Sequence, residues 1–160
     1  MSRAGPLHPK IQPSAAVAQH AVASRETRKP TLLCLSHLRW GFVYQRPQHL
    51  MSRFAHDYHL LFWEEPVACD EAEPWLEAHP GDVTVLVPHL PHSYQGNTAK
   101  AVEAQRVLLD DYLARHEATD LLLWYYTPMS LAFSAHLPAR LVVYDCMDEL
   151  AAFRGAPPSS

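Results

Sequence analysis

Apolar and polar residues follow two different rhythms along this chain, and each change of rhythm marks an element. The run Thr31-Leu-Leu-Cys-Leu-Ser36 is short, apolar and unbroken, the pattern of a strand buried on both faces. After a long loop, Pro47 suits the first turn of a helix whose Leu50, Met51, Phe54 and Ala55 share one face. Tyr58 to Trp63 reads as a second strand, closed by Glu64-Glu65-Pro66. The acidic stretch from Ala68 to Gly81 reads as loop with a short helix around Trp75, and Val83 to Val87 as a third strand stopped by Pro88. Asn97 or Thr98 can cap a longer helix with an apolar stripe of Ala101, Val102, Leu108, Leu109, Tyr112 and Leu113. Asp120 to Tyr125 is a fourth strand and Leu141 to Tyr144 a fifth. Between them, Thr127-Pro128 is a cap and first-turn pair for a short helix bearing Leu131, Ala132 and Ala135.

Nearly all-apolar strands alternating with helices predict a parallel sheet covered on both faces. With right-handed crossovers the fold class is α/β, a Rossmann-like doubly wound parallel sheet. The length of 160 residues suits one compact domain, and 48% apolar with 19% charged residues excludes a wholly disordered or fibrous chain. Charge sharpens the boundaries. Residues 1–30 hold five basic side chains against one acid, and the rest holds eight against sixteen. With Pro6, Pro9, Pro13 and Pro30 they are expected to be a disordered basic leader, ahead of a domain at 31–155 and a tail at 156–160. The leader's composition faintly resembles an organelle transit peptide; a disordered bacterial-type extension is the plainer reading. The net charge of −4 argues against a nucleic-acid partner. Cys34, Cys69 and Cys146 lie far apart, which argues against a disulfide framework or a cysteine zinc site and fits a reducing, cytoplasmic setting. The longest apolar run, Leu121 to Tyr126, is too short to cross a bilayer, and the start has no secretory apolar core.

In doubly wound sheets ligands bind beyond the carboxyl ends of the strands. Strand one delivers Ser36, His37 and a loop that interleaves Arg39 and Arg46 with Trp40, Phe42 and Tyr44. Strand two delivers Glu64 and Glu65, strand three His89 and His92, strand four Tyr125, Tyr126 and Thr127, and strand five Asp145, Asp148 and Glu149. The arginines beside a helix amino terminus suit an anion such as a phosphate, and the aromatic faces suit a sugar ring or an apolar tail. The plainer alternative pairs the arginines with Glu64 or Glu65. A dinucleotide site is disfavoured, because Gly41 stands alone where G-x-G-x-x-G is needed, and there is no phosphate-binding P-loop. No metal is expected: His89 and His92 lack a third ligand at recognisable spacing, and Asp148 suits a cap better than a cation. Ser36 and His37 are adjacent, which is poor geometry for a nucleophile and its base.

Four ordered motifs carry a resemblance. Ser36-His37-Leu38-Arg39-Trp40 with Val43-Tyr44-Gln45-Arg46-Pro47-Gln48-His49-Leu50, then Phe62-Trp63-Glu64-Glu65-Pro66, Leu123-Trp124-Tyr125-Tyr126-Thr127-Pro128-Met129, and Val143-Tyr144-Asp145-Cys146-Met147-Asp148-Glu149-Leu150 resemble the amino-terminal domain of bacterial GT-B glycosyltransferases of the family-4 and family-1 kind. The resemblance implies two facing Rossmann-like domains, the first holding the acceptor and the second a nucleotide-sugar donor, with no metal or other cofactor. It places His37 near the reacting acceptor hydroxyl as base or orienter, and Arg39, Trp40, Tyr44, Arg46, Glu64, Tyr125, Thr127 and Asp145 around the substrate. The implied partners are a sugar or lipid-linked acceptor, of the cell-surface polysaccharide or glycolipid type and compatible with peripheral membrane contact, and a donor held by a second domain. The family pattern continues past Pro158, so the expectation is a truncated or split enzyme, inactive by itself. Two alternatives stand beside it: a non-catalytic Rossmann-like binding module and, disfavoured by the missing glycines, a flavin or nicotinamide enzyme.

Overall fold

The computed structural model describes residues 28–146. The leader before Arg28, the carboxylates Asp148 and Glu149, and the tail at 156–160 lie outside the described residues. The elements are β1 (Thr31–Leu35), α1 (Arg46–Phe54), β2 (His59–Trp63), β3 (Val67–Cys69), β4 (Trp75–His79), β5 (Val83–Pro91), α2 (Thr98–Arg115), β6 (Leu122–Tyr125), α3 (Leu131–Ser134) and β7 (Leu141–Tyr144). Short 3-10 turns at His92–Tyr94 and Pro128–Ser130 precede α2 and α3.

One seven-stranded sheet organises the fold. Its parallel body runs β5-β2-β1-β6-β7, so the strands spread outward from β1 in both directions, as a doubly wound layer requires. Side chains of β1 alternate between two cores. Leu33 and Leu35 join Leu61, Trp63, Leu86 and Leu123 beneath Leu109 and Leu113 of α2 and Phe133 of α3. Leu32 and Cys34 join Leu60, Phe62, Leu122 and Tyr126 beneath Met51 of α1. At about 25 cal/mol per Å2 of apolar surface removed from water, these two cores supply most of the drive to fold.

Three expectations need correction. The segment around Trp75 is a strand, not a helix: Trp75, Glu77 and His79 alternate with Leu76 and Ala78, and β4 pairs antiparallel with β5. The sheet is therefore mixed, with an antiparallel edge. Next, β5 continues through Pro88 to Pro91. Trp63 pairs with Leu86 and Val67 with His89, so Pro88 lies opposite the turn between β2 and β3. The Leu86 carbonyl accepts from the Glu64 N–H on that same side, two residues before Pro88. The proline ring thus stands where no ladder donor is needed. Last, the sheet is not covered throughout: Leu141, Val142 and Tyr144 of β7 are exposed.

The caps follow the sequence. The Asn97 side chain accepts from the Lys100 N–H at 3.1 Å, and the Thr127 hydroxyl accepts from the Met129 N–H at 3.3 Å. In α3, however, Phe133 and Ser134 are buried, as is Ser130 just before it, while Leu131 and Ala132 face outward. No helix among the described residues is long and apolar enough to cross a membrane.

Candidate functional site

At the end of β1, the Ser36 hydroxyl accepts from the Leu38 N–H at 3.0 Å, tightening the turn that leaves His37 exposed. The following loop is pinned at Trp40 from two sides. Glu64, 6% exposed at the end of β2, accepts from the Trp40 N–H at 2.7 Å and from the Arg39 guanidinium at 3.2 Å. Gln48, buried in α1, donates to the Trp40 carbonyl at 3.0 Å and accepts from the Gln45 N–H at 3.0 Å. The Trp40 ring meets Phe62 edge-on with centroids 5.0 Å apart. What remains free is the loop tip, where Phe42, Val43 and Tyr44 are exposed and Tyr44 rests edge-on against His49.

Arg46, the first residue of α1, pairs with Asp145 at 3.1 Å. Asp145 is buried, and its second carboxylate oxygen has no partner among the described residues. Burial, reinforced by the nearby Asp145 charge, pushes the Cys34 thiol up. Burial likewise drives the Tyr126 hydroxyl far above its ordinary value, with Cys34 and Asp145 adding to it. Both groups therefore stay neutral at physiological pH.

Two concavities flank the carboxyl ends of the strands. On the α2 side a cavity of about 320 Å3 is lined by Ser36, His37, Trp63, Glu64, Glu65 and Thr127, with residues of α2 and α3 closing it. On the α1 side a shallower groove of about 500 Å3 lies over Val85 and Val87, between Trp40, Phe42 and His79. Glu64 borders both.

The residues singled out from the sequence are thus divided. His37, Glu64 and Thr127 share the cavity, while Arg39 and Trp40 belong to the groove. Arg46 and Asp145 form a pair beside α1, and Tyr44 stands at the loop tip. Tyr125 reaches neither concavity. It is 1% exposed, and its hydroxyl meets the Ser134 hydroxyl at 2.7 Å, which in turn donates to the Ser130 carbonyl. Burial raises the Tyr125 pKa, the Ser134 contact opposing it in part. The arginines are both in ion pairs: Arg39 meets Glu64, as the plainer alternative has it, whereas Arg46 meets Asp145 and neither glutamate.

Trp63 and Gln105 are cavity residues the sequence reading did not select. Gln105 carried a signal, since a polar residue there interrupts the α2 series Ala101, Leu109, Leu113 and is buried all the same. Trp63 carried none beyond being a strand-end aromatic, yet its indole N–H is buried with no partner among the described residues. His89 pairs with Glu77 at 2.8 Å and His92 with Asp70 at 3.3 Å. No group of three histidine, cysteine or acidic residues suited to a metal occurs among the described residues.

A third depression, about 560 Å3, opens at the opposite, amino-terminal edge of the sheet between Arg28, Lys29, His59 and His116. Its location is wrong for a doubly wound site, but it has a consequence for stability. Partial burial, then the His116 and Arg28 charges, lower the His59 pKa from its ordinary 6.5. The unfolded chain therefore binds this proton more readily than the folded one, and folding is disfavoured as pH falls through 6.5. Urea titrations should show stability rising with pH across the histidine range. The rise should be shallower in His59→Gln; equal slopes would contradict the assignment.

No family model matches this chain, and no curated protein matches it. A solved structure described as trehalose-6-phosphate from E. coli bound with UDP-2-fluoro glucose is similar at TM-score 0.47 and 14% identity, over 70% of this chain and 32% of that one. The chain therefore spans about a third of that neighbour's length.

Proposed function

We propose that residues 31–155 form the acceptor-binding domain of a GT-B glycosyltransferase, which moves a sugar from a nucleotide-sugar donor to an acceptor hydroxyl. The observation that carries this reading is the cavity at the carboxyl ends of β1, β2 and β6, lined together by His37, Glu64, Glu65 and Thr127. The four ordered motifs and the doubly wound strand order agree with it. In this reading the acceptor oxygen bonds to the donor's anomeric carbon while the bond to the nucleoside diphosphate breaks. The acceptor proton passes to the exposed His37 imidazole, and the diphosphate leaves with the bonding electrons. Arg39 and Trp40 act from the groove side by holding Glu64, which borders the cavity, and Arg46 with Asp145 fixes the start of α1. Tyr44 at the loop tip contacts the acceptor's far end, and Tyr125 acts from the core by positioning Ser134 and Ser130. The donor is bound by a second unit. Exposed Phe42, Val43, Tyr44 and Met129 around the carboxyl edge supply apolar surface for that unit.

The test is nucleoside diphosphate release from UDP-, GDP- and ADP-linked hexoses over a panel of sugar acceptors, with the chain alone and with a donor-binding domain supplied. Turnover should require both units and fall about 100-fold or more in His37→Ala. Full turnover in His37→Ala would remove that histidine from the chemistry, and no turnover in any combination would contradict the transferase reading.

A second reading, a non-catalytic binding module, is favoured by one feature. His37 has no hydrogen-bond partner among the described residues to orient its ring, as a base requires. Sugar binding without transfer would support it.

A further inference from the structure

We infer that the cavity on the α2 side selects an uncharged, hydroxyl-rich ligand and turns away phosphorylated ones. The inference rests on the reading of this cavity as a sugar site and adds the charge class of what enters it.

The argument is the charge inventory of the wall. Glu64 and Glu65 both line the cavity, and no lysine or arginine does. The Glu64 charge is offset by Arg39, whose guanidinium lies on the groove side. Glu65 is exposed at the rim with no ion-pair partner among the described residues, so it sets the local field. The nearest feature that favours an anion is the amino terminus of α2, since Gly96 and Thr98 also line the cavity. There the Asn97 side-chain oxygen already takes the Lys100 N–H. The Lys100 ammonium itself sits over the Tyr94 ring, 4.1 Å from its centroid. A phosphate dianion would thus approach Glu65 without a guanidinium to receive it.

A neutral polyol meets a different wall. Gln105 lines it, and since its amide N–H donates to the Ala101 carbonyl at 3.4 Å, its side-chain oxygen is left to accept. The Ser36 and Thr127 hydroxyls line the same wall, each already accepting one backbone N–H and able to donate. Glu65 can accept from a ligand hydroxyl. Donors and acceptors both occur, as recognition of neutral hydroxyls requires, and Tyr94 and Phe133 complete the wall.

The test compares glucose and mannose with their 6-phosphates by ligand-observed NMR titration of the full chain at low and high salt. The free hexoses should bind, and their 6-phosphates should bind about tenfold more weakly, with the gap narrowing as salt rises. Glu65→Lys should shift the ratio of hexose to 6-phosphate affinity about fivefold toward the 6-phosphates, because the free hexose loses an acceptor and the phosphate gains a cation. Equal or tighter binding of the 6-phosphates would overturn the inference while leaving the sugar site standing. A preference insensitive to both salt and Glu65→Lys would trace to shape and overturn it as well. If neither form binds, the sugar-site reading and the charge preference fail together.

Discussion

Glu64→Ala is expected to destabilise the fold by about 2–3 kcal/mol and to release the loop that carries His37 and Arg39. The carboxylate is 6% exposed and receives the Trp40 N–H at 2.7 Å, so its removal strands a backbone donor at the sheet edge. The Arg39 contact contributes little of this cost, because the guanidinium is 45% exposed and regains water when the pair is broken. Glu64→Gln keeps one acceptor for Trp40 and should cost roughly half as much. Urea unfolding followed by tryptophan fluorescence reads both. A Glu64→Ala protein within about 0.5 kcal/mol of the parent would mean that Gln48 alone holds the loop.

The larger effect belongs to Trp63. It is 1% exposed, packs against Phe133 with ring centroids 5.8 Å apart, and belongs to the core that α2 and α3 close. Trp63→Ala leaves a void that β2 and α3 cannot fill, and a loss of about 3–5 kcal/mol follows. Trp63→Phe keeps most of the packing and removes the N–H, which has no partner among the described residues. Its cost should stay under about 1.5 kcal/mol. The two variants separate the packing of the ring from the contribution of its N–H. A phenylalanine variant as unstable as the alanine one would show that the indole nitrogen is satisfied within the fold.

The fold was legible wherever one residue period ran unopposed. The apolar runs at 31–35, 59–63, 122–125 and 141–144 are strands, and the stripe through Leu109 and Leu113 is the buried face of α2. The misreadings share a cause: local punctuation was given more weight than the neighbouring strand. Pro88 stops a strand that needs its N–H, but here the partner is interrupted at the same height. Trp75 to His79 is too polar to read as a strand alone, and pairing with β5 supplies what its composition lacks.

For the site, sequence position sufficed to bring His37, Glu64 and Thr127 together, because all follow parallel strands and must emerge at one edge. It could not show on which side of the sheet each would fall. Arg39 and Trp40 end on the α1 side because Glu64 and Gln48 hold Trp40 there. Tyr125 points into the core since its neighbours Trp124 and Tyr126 take the opposite face. Trp63 became visible as a cavity residue only once α2 was laid across the ends of β1 and β2, whereas Gln105 was legible as a polar break in the α2 stripe.

Amide chemical-shift mapping of the full chain during titration with a free hexose tests the central claim most directly. Shifts should concentrate at Ser36, His37, Glu65, Thr98 and Thr127, around the cavity at the carboxyl edge. Perturbations confined to Arg28, Thr31, His59 and His116, at the amino-terminal edge, would place the site at the wrong end of the sheet and contradict the account.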